Sequence, residues 1–495
     1  MSPTILGNAN AILAIPVDGI YSPPPPPFTG MIIQIDTNNT TAGGSPSDAI
    51  RLPFQPEAYH DGTSPSGLTL NIEVDWGDSS TSLYNTNPTV AYTVSHVYSS
   101  PGIYTIKIDS AINSIEGWSL GGGTGVANEY DRNKITNISQ WGYFNCCGIA
   151  GYNYTQGRGY NFSQADQLSI TATDTPLITG TSLESMFSSW GGLWTFEIPN
   201  LNSWDVSGVS IFSQMFGMSA GTNSPIGDVS SWNMSNATDI SGMFSNTNFG
   251  LGLGSGDVSS WNVSNVTTFN SVFLNTPWNG DLSSWDVSNA DTMAGMFQNC
   301  YSFTGIGLNN WILNTTPNYG SAGIANLNNM FAYCPNFNTD ISSWNFSKVG
   351  QCGGMFRGAT SFNQNISAWD MSGTHYVVAG SNIGTIYDMF NGSFGGGMAF
   401  DQDLSSWDFS ATTCIIRFGG PGNAGDLTLS PTNYDATLIG FATRIPYTNA
   451  KTSAWCGAQI WEFGLSQYNL SNAAAVTARN ALIADMGAIV DGGGI

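Results

Sequence analysis

The stretch Phe337-Asn338-Thr339-Asp340-Ile341-Ser342-Ser343-Trp344, followed by Met355-Phe356, decides how this chain is read. It returns with small changes as Asp281-Leu282-Ser283-Ser284-Trp285 ahead of Met296-Phe297, and as Phe362-Asn363-Gln364-Asn365-Ile366-Ser367-Ala368-Trp369 ahead of Met389-Phe390. The tryptophan mark recurs at Trp204, Trp232, Trp261, Trp285, Trp311, Trp344, Trp369 and Trp407, in most copies four residues after an Asn or Asp. The second mark ends at Phe187, Phe216, Phe244, Phe297, Phe331, Phe356 and Phe390, with Val272-Phe273 as a variant.

From Trp to the next such Phe is 12 residues in five of seven cases, and 20 or 21 in the other two. One half of the unit is thus fixed in length and the other takes up insertions. A recurrence of this length signals stacked units, none of which can bury its own apolar edge alone. The Asp-Ile-Ser-Ser-Trp piece alternates like a short strand, and Ser-Gly-Met-Phe suits a helical turn. The reading is a repeat solenoid over about 116–425.

Outward from the repeats, residues 31–115 read as strands. Met31-Ile-Ile-Gln-Ile-Asp36, Leu68-Thr-Leu-Asn-Ile-Glu-Val-Asp-Trp76 and Gly102-Ile-Tyr-Thr-Ile-Lys-Ile108 alternate apolar with polar residues, separated by Gly, Pro, Ser and Asp turns. Residues 1–30 form an arm whose run Pro23–Pro27 favours a stiff polyproline rod. Residues 426–495 form a cap. Ser430-Pro431 starts one helix, Ser471 opens a second, and Gly487 stops it.

Two resemblances rest on these residues. Asp75-Trp76-Gly77-Asp78, His96-Val97-Tyr98 and Pro101-Gly102-Ile103-Tyr104 together resemble the signature of PKD domains, which implies an immunoglobulin-like sandwich used as a spacer or adhesion module. The repeat unit resembles the BspA-like surface proteins, which are related to leucine-rich repeats; that resemblance implies adhesion and surface display and carries no catalytic residues across. The fold class expected is therefore a mixed α/β multidomain chain. It has an N-terminal immunoglobulin/PKD-like β-sandwich, an LRR-like solenoid of short strands and helical turns, and a small helical C-terminal cap.

Composition narrows the function. Thirty-four acidic residues face 11 basic ones, for a net charge of −23, so no basic stripe exists to displace counterions from nucleic acid. Anionic membranes are disfavoured alike, and no apolar run is long enough for membrane insertion. Only 9% of residues are charged, while 16 Trp and 26 Phe argue for packing over disorder. The seven cysteines form no CxxC pair, and Cys300 and Cys334, each three residues after a Met-Phe, read as buried small side chains.

The tempting chemistry is an acid column: Asp228, Asp257, Asp281, Asp340 and Asp403, each four residues before its Trp. Stacked carboxylates could act as a glycosidase pair or hold calcium. Asn200 and Asn365 fill the same place in other units, however, and Asn is neither acid nor base. A local Asx turn accounts for both residue types. No catalytic residue, no metal site and no cofactor is assigned, calcium being the disfavoured exception. The three histidines enter no nucleophilic triad, and no phosphate loop is readable. Two insertions, near 312–328 and 373–387, carry Tyr319, His375 and Tyr376, the candidate ligand-binding residues, because insertions on one face of a solenoid are often its binding face.

The start lacks a basic secretory leader. Surface-type repeats without one favour a virion appendage, a tail fibre or capsid decoration, at the virion surface or otherwise extracellular. Its expected partners are other virion proteins through the arm, a host surface glycan or protein, and copies of itself in a homo-oligomer. A bacterial cell-surface adhesin is the second reading, and a polysaccharide depolymerase the third.

Overall fold

The structure, a computed structural model, describes residues 28–40, 44–54, 70–86, 94–110, 118, 131–146, 162, 165, 167–188, 198–217, 226–251, 256–314, 325–373, 386–392, 397–408, 418–419, 427–447 and 460–495. Residues 1–27 of the arm and the parts of the two insertions that bear Tyr319, His375 and Tyr376 lie outside the described residues.

The N-terminal part is built on strands β1 (Met31–Asp36), β2 (Ala49–Leu52), β3 (Leu70–Asp75), β4 (Thr81–Thr86), β5 (Val94–Val97) and β6 (Ile103–Ser110). Period-two alternation buries Met31, Ile33 and Ile35 on one side of β1 and leaves Gln34 exposed. The next two strands, β7 (Ile135–Gln140) and β8 (Ser169–Ile170), come from the repeats, yet they join the same sheet, ordered β4-β3-β6-β1-β7-β8. β1 pairs antiparallel with β6 on one side and with β7 on the other. β2 and β5 form a separate antiparallel pair.

Beyond β7, the described strands among the repeats are short: β8, β9 (Ala325–Asn326) and β10 (Val349–Gln351), of two or three residues each. Elsewhere neighbouring units touch through single parallel bridges, Ser182 to Ile211, Ile211 to Asp239, Asp239 to Thr268, Thr268 to Thr292 and Thr292 to Asn326. At these bridges one carbonyl takes two successive amides of the next unit. The Thr238 oxygen accepts from Thr267 and Thr268, and the Thr267 oxygen accepts from Asp291 and Thr292.

At the C-terminus lie helices α1 (Pro431–Ala442) and α2 (Ala473–Met486), with β11 (Ile460–Glu462) pairing parallel to β12 (Ala488–Val490). Ser430 caps α1, with Pro431 in its first turn. Asn472, rather than Ser471, caps α2 by accepting from the Ala475 amide.

These findings correct the expected fold class. The described residues are mostly strands, turns and loops, with two α-helices confined to the C-terminal end and small sheets. The N-terminal sheet does not close as an independent sandwich, because β7 and β8 extend it into the repeats. The LRR-like solenoid of strands and helical turns is replaced by stacked turns. The physical reason is local. In Asp257-Val-Ser-Ser-Trp261 the Trp261 amide donates back to the Val258 carbonyl, 3.1 Å away, which closes a turn where alternation suggested a strand.

At Met-Phe the backbone is not helical either. The residue two before each column phenylalanine has positive φ in eight successive units: Ser185, Gln214, Gly242, Ser271, Gly295, Asn329, Gly354 and Asp388, all between 53 and 62°. This left-handed residue turns the chain so that its amide and that of the phenylalanine both reach the next unit. Ser271 N donates to Ala294 O and Phe273 N to Met296 O, each at 2.9 Å.

Candidate functional site

Six described units place three aromatic positions inside. Column phenylalanines stack from Phe162 through Phe187, Phe216, Phe244, Phe273, Phe297, Phe331 and Phe356 to Phe390, with centroids 5.6–6.0 Å apart. All eight marker tryptophans are buried, and four consecutive pairs stack, Trp232–Trp261, Trp261–Trp285, Trp311–Trp344 and Trp369–Trp407. A third ring lies flat on the phenylalanine of its own unit: Phe249 on Phe244, Trp278 on Phe273, Phe303 on Phe297, Phe337 on Phe331, Phe362 on Phe356 and Phe400 on Phe390, at 3.7–4.2 Å. The sequence reading missed this third position. Its signal was present as the Phe that opens Phe-Asn-Thr-Asp and Phe-Asn-Gln-Asn.

A buried indole must place its N–H. Trp232, Trp261, Trp285, Trp311, Trp344, Trp369 and Trp407 all donate to the same carbonyl, that of the residue three before the marker tryptophan of the preceding unit: Leu201, Val229, Val258, Leu282, Leu308, Ile341 and Ile366, at 2.8–3.2 Å. Trp204 heads the series, and its buried indole nitrogen has no hydrogen-bond partner.

The acid column is occupied locally. One oxygen of Asp228, Asp257, Asp281, Asp340 and Asp403 accepts from the backbone amide two residues on, at 2.8–3.0 Å. Asn365 makes the same bond with its amide oxygen. Ser259 and Ser283 add their hydroxyls to Asp257 and Asp281. These hydrogen bonds hold the Asp257 and Asp281 carboxyls below the usual carboxylate range, the serine hydroxyl being the larger cause, and the Ser342 amide and hydroxyl do so for Asp340. A general acid needs the opposite shift. In the units where Asn200 or Gly307 stands instead, that residue takes positive φ and opens a single 3₁₀ turn.

Among the described residues no three His, Cys, Asp or Glu side chains gather as a metal site, and no helix is long and apolar enough to cross a membrane. Cys300 and Cys334 are buried and donate to Phe273 O and Phe297 O of the preceding units, at 2.8 and 2.9 Å. Burial pushes the Cys300 thiol up to about 11.

At the N-terminal end, Gly77 carries φ 79° and turns the Asp-Trp-Gly-Asp segment. Trp76 is buried against the His96 ring, 4.9 Å away and near-parallel, and donates to Ser82 Oγ. His96 Nε2 lies 2.8 Å from Asp78 Oδ2 and its ring meets Tyr98 edge-on, so His96 stands packed on three sides. Sequence reading also missed Lys134. It is wholly buried and donates to the carbonyls of Ser45, Pro46 and Ala49 at 2.7–2.9 Å, while Asp131 accepts from the Ser45 and Arg51 amides. That pair ties the loop before β2 to the first turn leading into β7.

One open cavity, of about 360 Å³, lies at the seam between the N-terminal sheet and the first unit. Phe28, Thr29, Ser139, Gln140, Gly142, Tyr143, Thr173 and Asp174 line it. Gln140 Nε2 donates to Phe28 O and Gly30 O, at 2.7 and 2.8 Å. The two Asp174 carboxylate oxygens each accept one backbone amide, from Trp141 at 3.0 Å and Gly142 at 2.7 Å. Gly142 has φ 53°, and a Cβ there would strike Gly30 O at 2.2 Å, so only glycine lets the backbone close against the sheet.

Stacked turns with through-running aromatic columns define a repeat protein whose marker residues are consumed in holding unit to unit. The chain belongs to the family described as Mycoplasma protein of unknown function, DUF285, which matches residues 160–255, 228–322 and 314–413, together just over half of its length. Neither a curated protein nor a solved structure matches it.

Proposed function

We propose that this chain is a non-enzymatic surface protein of the BspA-like kind, which presents the edges of its stacked repeats to a partner. The carrying observation is that the recurring tryptophans and phenylalanines spend their hydrogen bonds and rings on neighbouring units, while the Asx residues spend theirs on the turn of their own unit. What remains for recognition is the outward edges and the seam. The sharper form of the proposal places the chain on a virus particle as a tail fibre or capsid decoration, with its N-terminal proline arm toward the virion and the repeats toward a host glycan or protein. A surface-type repeat behind a proline-rich N-terminal segment supports that arrangement.

The purified chain, incubated with cell-surface polysaccharide, should release no reducing ends, and Asp281→Asn with Asp340→Asn should leave its binding to whole cells unchanged. Reducing-end release that disappears in those variants would replace the proposal with a depolymerase.

A further inference from the structure

We infer that the cavity at the seam between β7 and the first repeat is a binding site for a neutral sugar residue. This rests on the surface-binding reading and names its ligand class. Its volume of about 360 Å³ falls at the lower end of small-molecule sites, which suits one sugar residue rather than a long polymer groove. The lining combines what a pyranose needs. Tyr143 offers a ring for the apolar face of a sugar, and Phe28, over whose ring Lys107 Nζ lies at 5.9 Å, adds apolar lining. Thr29, Tyr143 and Thr173 supply hydroxyls able to donate and accept, and the Ser139 hydroxyl, which donates to Ile32 O, keeps its lone pairs to accept.

Asp174 and Gln140 supply acceptors held in place. Asp174 is fixed by two backbone amides and keeps further lone pairs on both oxygens. Gln140 spends its amide nitrogen on Phe28 O and Gly30 O, which leaves the amide oxygen to accept from a sugar hydroxyl. No lysine or arginine is among the lining residues and the one charged lining group is the Asp174 carboxylate, while Lys107 lies over the Phe28 ring, so a neutral ligand is favoured over an acidic sugar or phosphate. A polyol, rich in donors and uncharged, fits this acceptor-rich wall.

The test is saturation-transfer NMR on the full chain with chitotriose, maltotriose, trigalacturonate and choline as separate probes. The expected result is transfer to at least one neutral trisaccharide and none to trigalacturonate. Tyr143→Ala should weaken that binding about tenfold, the scale of one lost aromatic contact. Asp174→Asn and Thr173→Val provide independent variants if Tyr143→Ala fails to fold, and each should also weaken binding. Absence of transfer to both neutral sugars overturns the inference. So does transfer unchanged in folded variants, and so does binding of choline alone, which would make the site an ammonium pocket. Whole-cell binding that survives Tyr143→Ala, with sugar binding absent, would sink the sugar site and leave the surface-binding reading standing.

Discussion

The indole nitrogen of Trp285 donates to the carbonyl oxygen of Val258, 2.9 Å away and one repeat earlier, and the same bond recurs at seven tryptophans. Unit is thereby pinned to unit at a fixed register, inside the protein, where an unmade hydrogen bond is costly. Trp285→Phe leaves the Val258 carbonyl without this donor. It should cost about 1–3 kcal/mol in denaturant unfolding. Trp204→Phe, which removes a nitrogen that has no partner, should cost at least about 1 kcal/mol less. Equal losses at the two sites would show that ring packing alone holds the column.

The left-handed residue before Met-Phe gives a second contrast. Gly295 carries φ 62°, and Gly295→Ala should destabilise by about 1–2 kcal/mol. Gly208 has open space around its Cβ position, and Gly208→Ala should be neutral or stabilising by up to about 1 kcal/mol. Thermal melts of the two variants decide this. Similar costs would mean that the turn tolerates side chains freely.

At the N-terminal end, the Ser80 hydroxyl, His96 and the Ser80 amide hold Asp78 down to about 2 from 3.8. A depressed folded-state pKa stabilises above the unfolded value and loses that contribution as pH falls through the folded one. Stability should therefore drop between about pH 4 and pH 2, and Asp78→Asn should flatten that part of the profile. An unchanged acid limb in the variant would assign the loss to other carboxylates.

Cys300 and Cys334, buried with raised thiol pKa values, should resist alkylation at pH 8 in the native chain and react only on unfolding. Peptide mass spectrometry after brief iodoacetamide treatment reads this directly. Rapid native labelling of either would mean that the column opens locally.

Much of the register was legible because Trp and Phe are too large to hide anywhere but between units. Their spacing named the tryptophans that the structure stacks. The Asx column was legible too, since an Asn at Asn365 can do what Asp340 does for a turn and nothing catalytic. Other features left no such trace. The left-handed position is filled by Ser, Gln, Gly, Asn or Asp, because a single φ is imposed by the units on either side rather than by one residue type. The third ring was masked by a changing offset, five residues after the column phenylalanine at Phe249 and six at Phe303. Alternation at β1 signalled a strand but not that it pairs with β7 across the expected boundary at 115. That pairing, with turns in place of repeat strands and helices, is why the expected fold class failed. Gln140 and Asp174, which build the seam, lie in the repeat-like segments Ile135–Gly142 and Ala172–Pro176, but that likeness does not show that they become neighbours, which happens only through folding.

The placement of the chain at a surface is tested most directly by immunogold electron microscopy of particles and cells with an antibody against the C-terminal cap. Gold on virions, at tail or capsid, is the predicted result. Gold confined to bacterial envelopes would contradict the virion placement, and gold confined to the cytoplasm would contradict surface display altogether.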